Sequence, residues 1–211
     1  MTAGPLIHVV DDDASFRTAL ERLLEAAGFE VRTYPSAGSF LLDPPPDRPG
    51  CLLLDIRMPG PSGLDLQAAL ERQGILLPVI FLTGHADVTS SVRAMKAGAL
   101  DFLTKPIERE TLLDAIRRAL ERDAAARLAR DEAERLRARF ASLTPRERQV
   151  FDLVVAGRLN KQIAGELGIA ERTVKADRAQ VLAKLGVTSA AELGGLAAEW
   201  HRLTAAGPHP D

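Results

Sequence analysis

Four short apolar runs in this 211-residue chain each end on a polar residue that can handle a phosphoryl group, and this repetition limits the fold more than any other feature. Leu6-Ile7-His8-Val9-Val10 runs into Asp11-Asp12-Asp13, and Cys51-Leu52-Leu53-Leu54 ends at Asp55. Val79-Ile80-Phe81-Leu82 ends at Thr83, and Asp101-Phe102-Leu103-Thr104 ends at Lys105-Pro106. Segments of helical periodicity lie between the runs. Alternating β and α units build a parallel sheet. Ligands of such sheets bind beyond the carboxyl ends of the strands, where these four polar elements would converge. Acids, a hydroxyl and an ammonium at one edge suggest a divalent metal beside a phosphorylated carboxylate.

Read along the chain, strands are expected at 6–10, 30–34, 51–55, 79–83 and 101–104. Helices are expected at about 14–27, 36–42, from the 58–63 loop to 73, and 88–97. Pro44-Pro45-Pro46 and Gly98 act as stops, and Gly28 suits the position after the first helix. Glu108 then opens a long helix with no obvious stop before Ser142. Ile116, Leu120, Ala124, Leu128, Leu136 and Phe140 recur along it in steps of four, with Glu132 interrupting, a stride that drifts around a 3.6-residue helix and makes a weak stripe. Asp123/Arg127 and Asp131/Arg135 read as acid-before-base pairs on an exposed helix. Thr144, Pro145 and Glu147 form an N-cap, a first-turn proline and a capping box that start a second domain. Its helices are expected at 145–156, 160–167, 171–185 and 189–200, with Gly157, Gly168 and Gly186 at the breaks. The expected organisation is a first domain over 1–122, a helical linker over 123–141, a second domain over 142–203 and a frayed tail over 204–211.

A hydrophobic content of 46% is ample for two cores. The net charge of -2 neither requires nor excludes nucleic acid, because a local patch can do the binding. Cys51 is the single cysteine and lies in an apolar run, so it reads as a buried structural thiol. No apolar stretch approaches the ~18 residues of a spanning helix, and the amino terminus lacks a signal-peptide pattern. A cytoplasmic protein without a membrane partner is expected.

In the first domain Asp55 is the natural phosphoacceptor, since a carboxylate can attack a phosphoryl group to give an acyl phosphate. The barrier is mainly electrostatic, and a hard cation with oxygen ligands lowers it. Asp11 and Asp12, with Asp55 and a loop carbonyl, can hold Mg²⁺, while Lys105 and Thr83 serve phosphoryl oxygens. Taken singly, an Asp pair after a strand reads as a helix cap, Thr83 as a strand-end hydroxyl and Lys105 as a surface lysine. Together, Val10-Asp11-Asp12-Asp13, Leu54-Asp55-Ile56-Arg57-Met58-Pro59, Leu82-Thr83-Gly84-His85 and Ala97 through Pro106 resemble the signature of response-regulator receiver domains. The resemblance covers residues 1 to about 122 and implies an α/β flavodoxin-like fold whose five-stranded parallel sheet has the order 2-1-3-4-5. It also implies Asp55 as phosphoacceptor, Asp11, Asp12 and the main-chain carbonyl of Arg57 as Mg²⁺ ligands, a cis Lys105-Pro106 bond and Phe102 as the aromatic switch. Arg57 and His85, two residues beyond Asp55 and Thr83, would sit at the rim where water approaches the acyl phosphate.

In the second domain two short helices joined by a turn containing Gly168 make a helix-turn-helix pattern. Ile163, Leu167, Ile169, Val174, Val181 and Leu185 are its expected core. Arg172, Lys175, Arg178 and Lys184 set against Asp177 leave the second helix a net +3. Cations on a major-groove helix contact phosphates and base edges. The stretches 143–150, 160–164 and 173–175 resemble the LuxR-type helix-turn-helix, and the whole chain is similar to two-domain regulators of the FixJ/NarL type. Candidate DNA contacts are Lys161, Arg172, Thr173, Lys175, Arg178 and Lys184. Asp177 departs from the histidine often found there in the family; it could repel phosphate or accept from a cytosine amino group. The expectation is a DNA-binding transcriptional regulator of a two-component system, not an enzyme in its own right beyond handling its own phosphoryl group. Its partners would be a sensor histidine kinase, double-stranded promoter DNA, a second copy upon phosphorylation and, as a further candidate, RNA polymerase. The rival is an aspartate-nucleophile phosphohydrolase, which would want its nucleophile in the first acidic cluster and a substrate cap instead of a helix-turn-helix.

Overall fold

The computed structural model describes residues 4–84 and 98–205. The strands are β1 (Leu6–Val10), β2 (Glu30–Tyr34), β3 (Gly50–Asp55), β4 (Val79–Thr83) and β5 (Asp101–Thr104). The described helices of the first unit are α1 (Ala14–Ala26), α2 (Ala37–Leu42) and α3 (Gly63–Arg72), followed by α4 (Arg109–Ala141), which continues into the second unit. The second unit adds α5 (Pro145–Val155), α6 (Asn160–Leu167), α7 (Glu171–Leu185) and α8 (Ala190–Ala205). The helix expected over 88–97 lies outside the described residues. Among the described residues, no single helix is long and apolar enough to cross a membrane.

All strands pair in parallel, in the order β2-β1-β3-β4-β5. β1, β3 and β4 are buried along their whole length, which is why they read as continuous apolar runs. Side chains alternate between the two faces. Val10, Leu52, Leu54 and Phe81 join Phe40 of α2 and Leu66 and Leu70 of α3 on one face. Ile7, Val9, Leu53, Ile80, Leu82 and Leu103 meet Leu20 and Leu24 of α1 and Leu112, Ala115, Ile116 and Ala119 of α4 on the other. Asp55 pairs with Leu82, and Thr83 with Thr104, so the polar residues that end the strands come out in one row.

The stride-of-four stripe on α4 is not one surface. Ile116 belongs to the sheet core, Leu136 and Phe140 to the core of the second unit, and Leu128 between them is 63% exposed. The Asp123/Arg127 pair also differs from expectation, because it is not on an exposed face. Asp123 is buried, and its Oδ2 accepts from the Gly50 amide at 3.1 Å and from Arg127 Nε at 2.8 Å. Arg127 also donates to the Arg48 carbonyl at 2.6 Å and to Asp47. These bonds tie α4 to the start of β3, and the first compact unit ends at Arg127.

In the second unit Thr144 caps α5, with Pro145 in its first turn and Glu147 completing the capping box. Gly168 and Gly186 take left-handed conformations that end α6 and α7, which favours glycine. Ile163, Val174, Val181 and Leu185 are buried with Leu136, Phe140, Phe151 and Leu193, while Leu167 and Ile169 pack at the edge. Phe140 stacks on Trp200 with ring centroids 4.2 Å apart. α8 runs on through Ala205, past the point where fraying was expected. Leu203 packs on the core, and Thr204 Oγ1 donates to the Trp200 carbonyl at 3.0 Å.

Candidate functional site

The row of strand ends builds a compact charged site. Asp11 follows β1 and is fully buried; Asp55 closes β3 and is 7% exposed. Lys105, just past β5, reaches both, with Nζ 2.5 Å from Asp11 Oδ2 and 2.8 Å from Asp55 Oδ2. Its position is set by its amide, which donates to the Thr83 carbonyl at 2.7 Å, and the Lys105-Pro106 bond is cis. Burial pushes the Asp11 carboxyl above its ordinary range, with the Lys105 hydrogen bond opposing. Burial pulls Lys105 down, but the two carboxylates outweigh it and hold the ammonium above the usual lysine value. A protonated lysine therefore bridges two acids that would otherwise repel each other. Asp12, exposed at the mouth, brings a third carboxylate, and one ligand oxygen from each of Asp11, Asp12 and Asp55 lies within 4.8 Å of the others. An all-oxygen, multiply acidic set of this kind fits a hard cation such as Mg²⁺.

Backbone groups aim the carboxylates. The Asp13 amide donates to Asp11 Oδ1 at 3.0 Å, and the Arg57 amide donates to Asp55 Oδ1 at 3.0 Å. Asp13, not Asp11 or Asp12, caps α1, accepting from the amides of Ser15 and Phe16. The capping reading of the acidic cluster is thus met by a third acid. Arg57 itself is exposed, Thr83 is buried and Phe102 is half-buried against the α3 face of the sheet. His85 lies outside the described residues.

Two contributors were not singled out from the sequence. A Cβ on Gly63 would lie 2.2 Å from the Asp55 carbonyl oxygen, so only glycine lets α3 begin against the Asp55 main chain. The Gly63 amide donates to the Ile56 carbonyl at 3.0 Å in the same contact. The Phe16 ring lies under Lys105, with Nζ 4.1 Å from its centroid. The Gly60-Pro61-Ser62-Gly63 stretch reads simply as a loop, and a phenylalanine in a helix reads as core. Neither pattern reports a close approach made by tertiary packing.

In the second unit α6 and α7 form the expected helix-turn-helix. Arg172 and Lys175 are exposed, and Lys175 lies 3.7 Å from Glu171 one turn earlier. Glu171 falls inside the helix, so its net charge is +2 and not the +3 read from the four cations against Asp177. Arg178 donates to Asn160 Oδ1 of α6 at 3.1 Å. Lys161 is exposed on α6 and Thr173 is half-exposed on α7. Lys184 faces inward, bonded to Glu147 Oε2 at 2.6 Å and to the Ser142 carbonyl at 3.1 Å. Asp177 is paired with Arg146 of α5, whose Nε is 2.8 Å from Asp177 Oδ2.

Residues 7–117 match the response regulator receiver domain, and residues 141–197 match the bacterial regulatory proteins of the luxR family. The chain is a response regulator of the receiver–LuxR family. It is 47% identical over 188 residues to nodulation protein W of Bradyrhizobium diazoefficiens, covering 89% of this chain and 83% of that protein. It is 45% identical over 183 residues to the transcriptional regulatory protein FixJ of Rhizobium meliloti, covering 87% and 90%. Among solved structures, that of response regulator StyR superposes with a TM-score of 0.88 at 50% identity, over 93% of this chain and 100% of that one. A response regulator of this family is a DNA-binding transcription factor controlled by a kinase, not a phosphohydrolase. Receiver domains use Mg²⁺ at an acidic pocket, and the Asp11, Asp12 and Asp55 cluster is such a pocket.

Proposed function

We propose that Asp55 is the phosphoacceptor of this response regulator and that a sensor histidine kinase is its donor. The observation that carries this reading is the bridge from Lys105 to both Asp11 and Asp55, assembled from the ends of three strands. As an Asp55 oxygen bonds to phosphorus, the bond from phosphorus to the kinase histidine breaks. Asp11, Asp12, Asp55 and the Arg57 carbonyl would hold Mg²⁺, which when bound supplies positive charge against the incoming phosphoryl oxygens. Lys105 moves its ammonium from the two carboxylates to a phosphoryl oxygen, and the Thr83 hydroxyl serves another. Phe102 repacks as Thr83 is drawn in, biasing the face of residues 88–107 towards pairing with a second receiver. Arg57, exposed next to Asp55, and His85, two residues beyond Thr83 in the sequence and outside the described residues, are assigned the control of how fast water hydrolyses the acyl phosphate. Pairing brings two α7 helices to two half-sites, raising affinity through effective concentration.

On α7, Lys175 is assigned to base edges and Arg172 to phosphate; Arg178 and Lys161 border them on the α6 side, and Thr173 on the α5 side. Lys184, bonded within the domain, acts on DNA only by holding α5 to α7. The test is labelling with a small phosphodonor and Mg²⁺, followed by DNA binding. Native protein should gain one acid-labile phosphate and bind promoter DNA more tightly, and Asp55→Asn should do neither. Undiminished labelling of that variant would move the acceptor elsewhere.

A further inference from the structure

The acid on the recognition helix, Asp177, is neutralised by a residue of another helix. Asp177 is the more covered partner, its side chain 21% exposed against 46% for Arg146. One of the five guanidinium N–H groups is used, and among the described residues the others have no protein partner. The position on α7 gives this pair its meaning. Arg172, Ala176, Ala179 and Ala183 are all exposed and, at 100° per residue, form the outward ridge of the helix. Thr173 and Asp177, four apart, share the flank that α5 covers through Arg146. Lys175 and Arg178 share the opposite flank, where Arg178 meets Asn160 of α6. A ridge of three alanines led by Arg172 can enter a major groove about 12 Å wide, which a phosphate strand borders on each side. The α6 flank has its phosphate-side cations in Arg178 and Lys161, with Lys175 reaching from that flank to the base edges. The α5 flank would offer a bare acid were it not for Arg146, because Lys184 is bound to Glu147.

We infer that Arg146 is a phosphate contact of this DNA-binding domain and that Asp177 is the positioning residue that holds its guanidinium beside the recognition helix. The inference rests on the DNA-binding reading above. On this account Asp177 neither repels the duplex nor reads cytosine; it carries a cation across from α5.

The experiment measures binding of the full chain to a random duplex and to promoter DNA at several salt concentrations, with thermal melting to confirm folding. Arg146→Gln should weaken both duplexes alike, about fivefold at 0.15 M salt, and lower the salt slope by about 0.9. Arg146→Lys, which keeps the charge, should keep the slope. Asp177→Asn should change native binding by less than about twofold, yet tighten binding of the Arg146→Gln protein by about threefold, since only there is the acid bare. An unchanged slope in Arg146→Gln overturns the phosphate contact. Equal tightening by Asp177→Asn in both backgrounds overturns the positioning role. Absence of DNA binding by the native chain would instead overturn the DNA-binding reading, and this inference with it.

Discussion

At the residue scale, Asp55, the proposed acceptor, depends on a neighbour with no side chain. Because a Cβ at Gly63 would meet the Asp55 carbonyl at 2.2 Å, Gly63→Ala must push α3 away or displace Asp55. Phosphorylation by a small donor should then slow by roughly one to two orders of magnitude while far-UV circular dichroism stays native; a native labelling rate would refute the dependence. A second prediction concerns His8, buried in β1 and stacked near Tyr34. The Tyr34 hydroxyl donates to Asp43, which leaves the His8 Nδ1–H as the donor in their 3.3 Å contact. Burial, aided by Arg32, lowers the His8 pKa from 6.5 to about 4. The unfolded chain therefore takes up the proton first. His8 contributes no penalty above pH 6.5, the fold loses stability as pH falls from 6.5 towards 4, and the loss then levels off. That loss is on the order of 3 kcal/mol. Urea titrations at pH 7 and pH 4.5 should show it in the native chain and not in His8→Phe; parallel behaviour of the two proteins would exclude His8 as the source. The convergence of Asp11, Asp55, Thr83 and Lys105 at one sheet edge was legible because each ends its own apolar run. Gly63 and Phe16 were not, because their roles depend on distances between elements far apart in sequence.

At the element scale, α4 shows how one periodic pattern can serve three environments. Its first turns complete the sheet core, its last turns complete the helical core, and Leu128 between them is largely in water. Asp123 is the anchor of the first part. Removing it strips the Gly50 amide and Arg127 of a buried charged partner. Asp123→Ala should destabilise the receiver by about 3–5 kcal/mol in denaturant titrations. Leu128→Lys should stay within about 0.5 kcal/mol of native. If the two variants unfold at the same denaturant concentration, the anchoring role is wrong. The charge spacing of Asp123 and Arg127 showed that they could pair, but pairing four residues apart is equally good on an exposed and a buried face. Only the arrival of the Gly50 amide beside that turn distinguishes them. The capping box of Thr144 and Glu147 was legible for the opposite reason, since every group it needs lies within one turn.

At the scale of the whole molecule, two units with separate cores share one helix, and the stretch from Ala124 to Arg135 carries no buried residue. Weakly packed segments open first. Limited trypsin digestion should therefore cut at Arg130 or Arg135 before any site in either core and leave two fragments that keep their secondary structure. Early cleavage inside α7 or the sheet would show that stability is distributed otherwise. Phosphorylation should shift the native chain from monomer to dimer in sedimentation, and Asp55→Asn should remain a monomer under the same donor. The sequence by itself determined the alternation of elements, the parallel sheet, the two-domain order and the identity of the charged groups at the strand ends. These follow from periodicity, turn residues and caps, which act over a few residues and so are written locally. The tertiary structure alone decided which charges are spent inside the protein. Lys184 faces Glu147, Asp177 holds Arg146, and Asp123 secures β3, although all three occur in segments that read as solvated. A charge finds its partner through space, and a distance of about 3 Å between residues tens of positions apart is set by how the helices and sheet pack, not by their spacing in the chain.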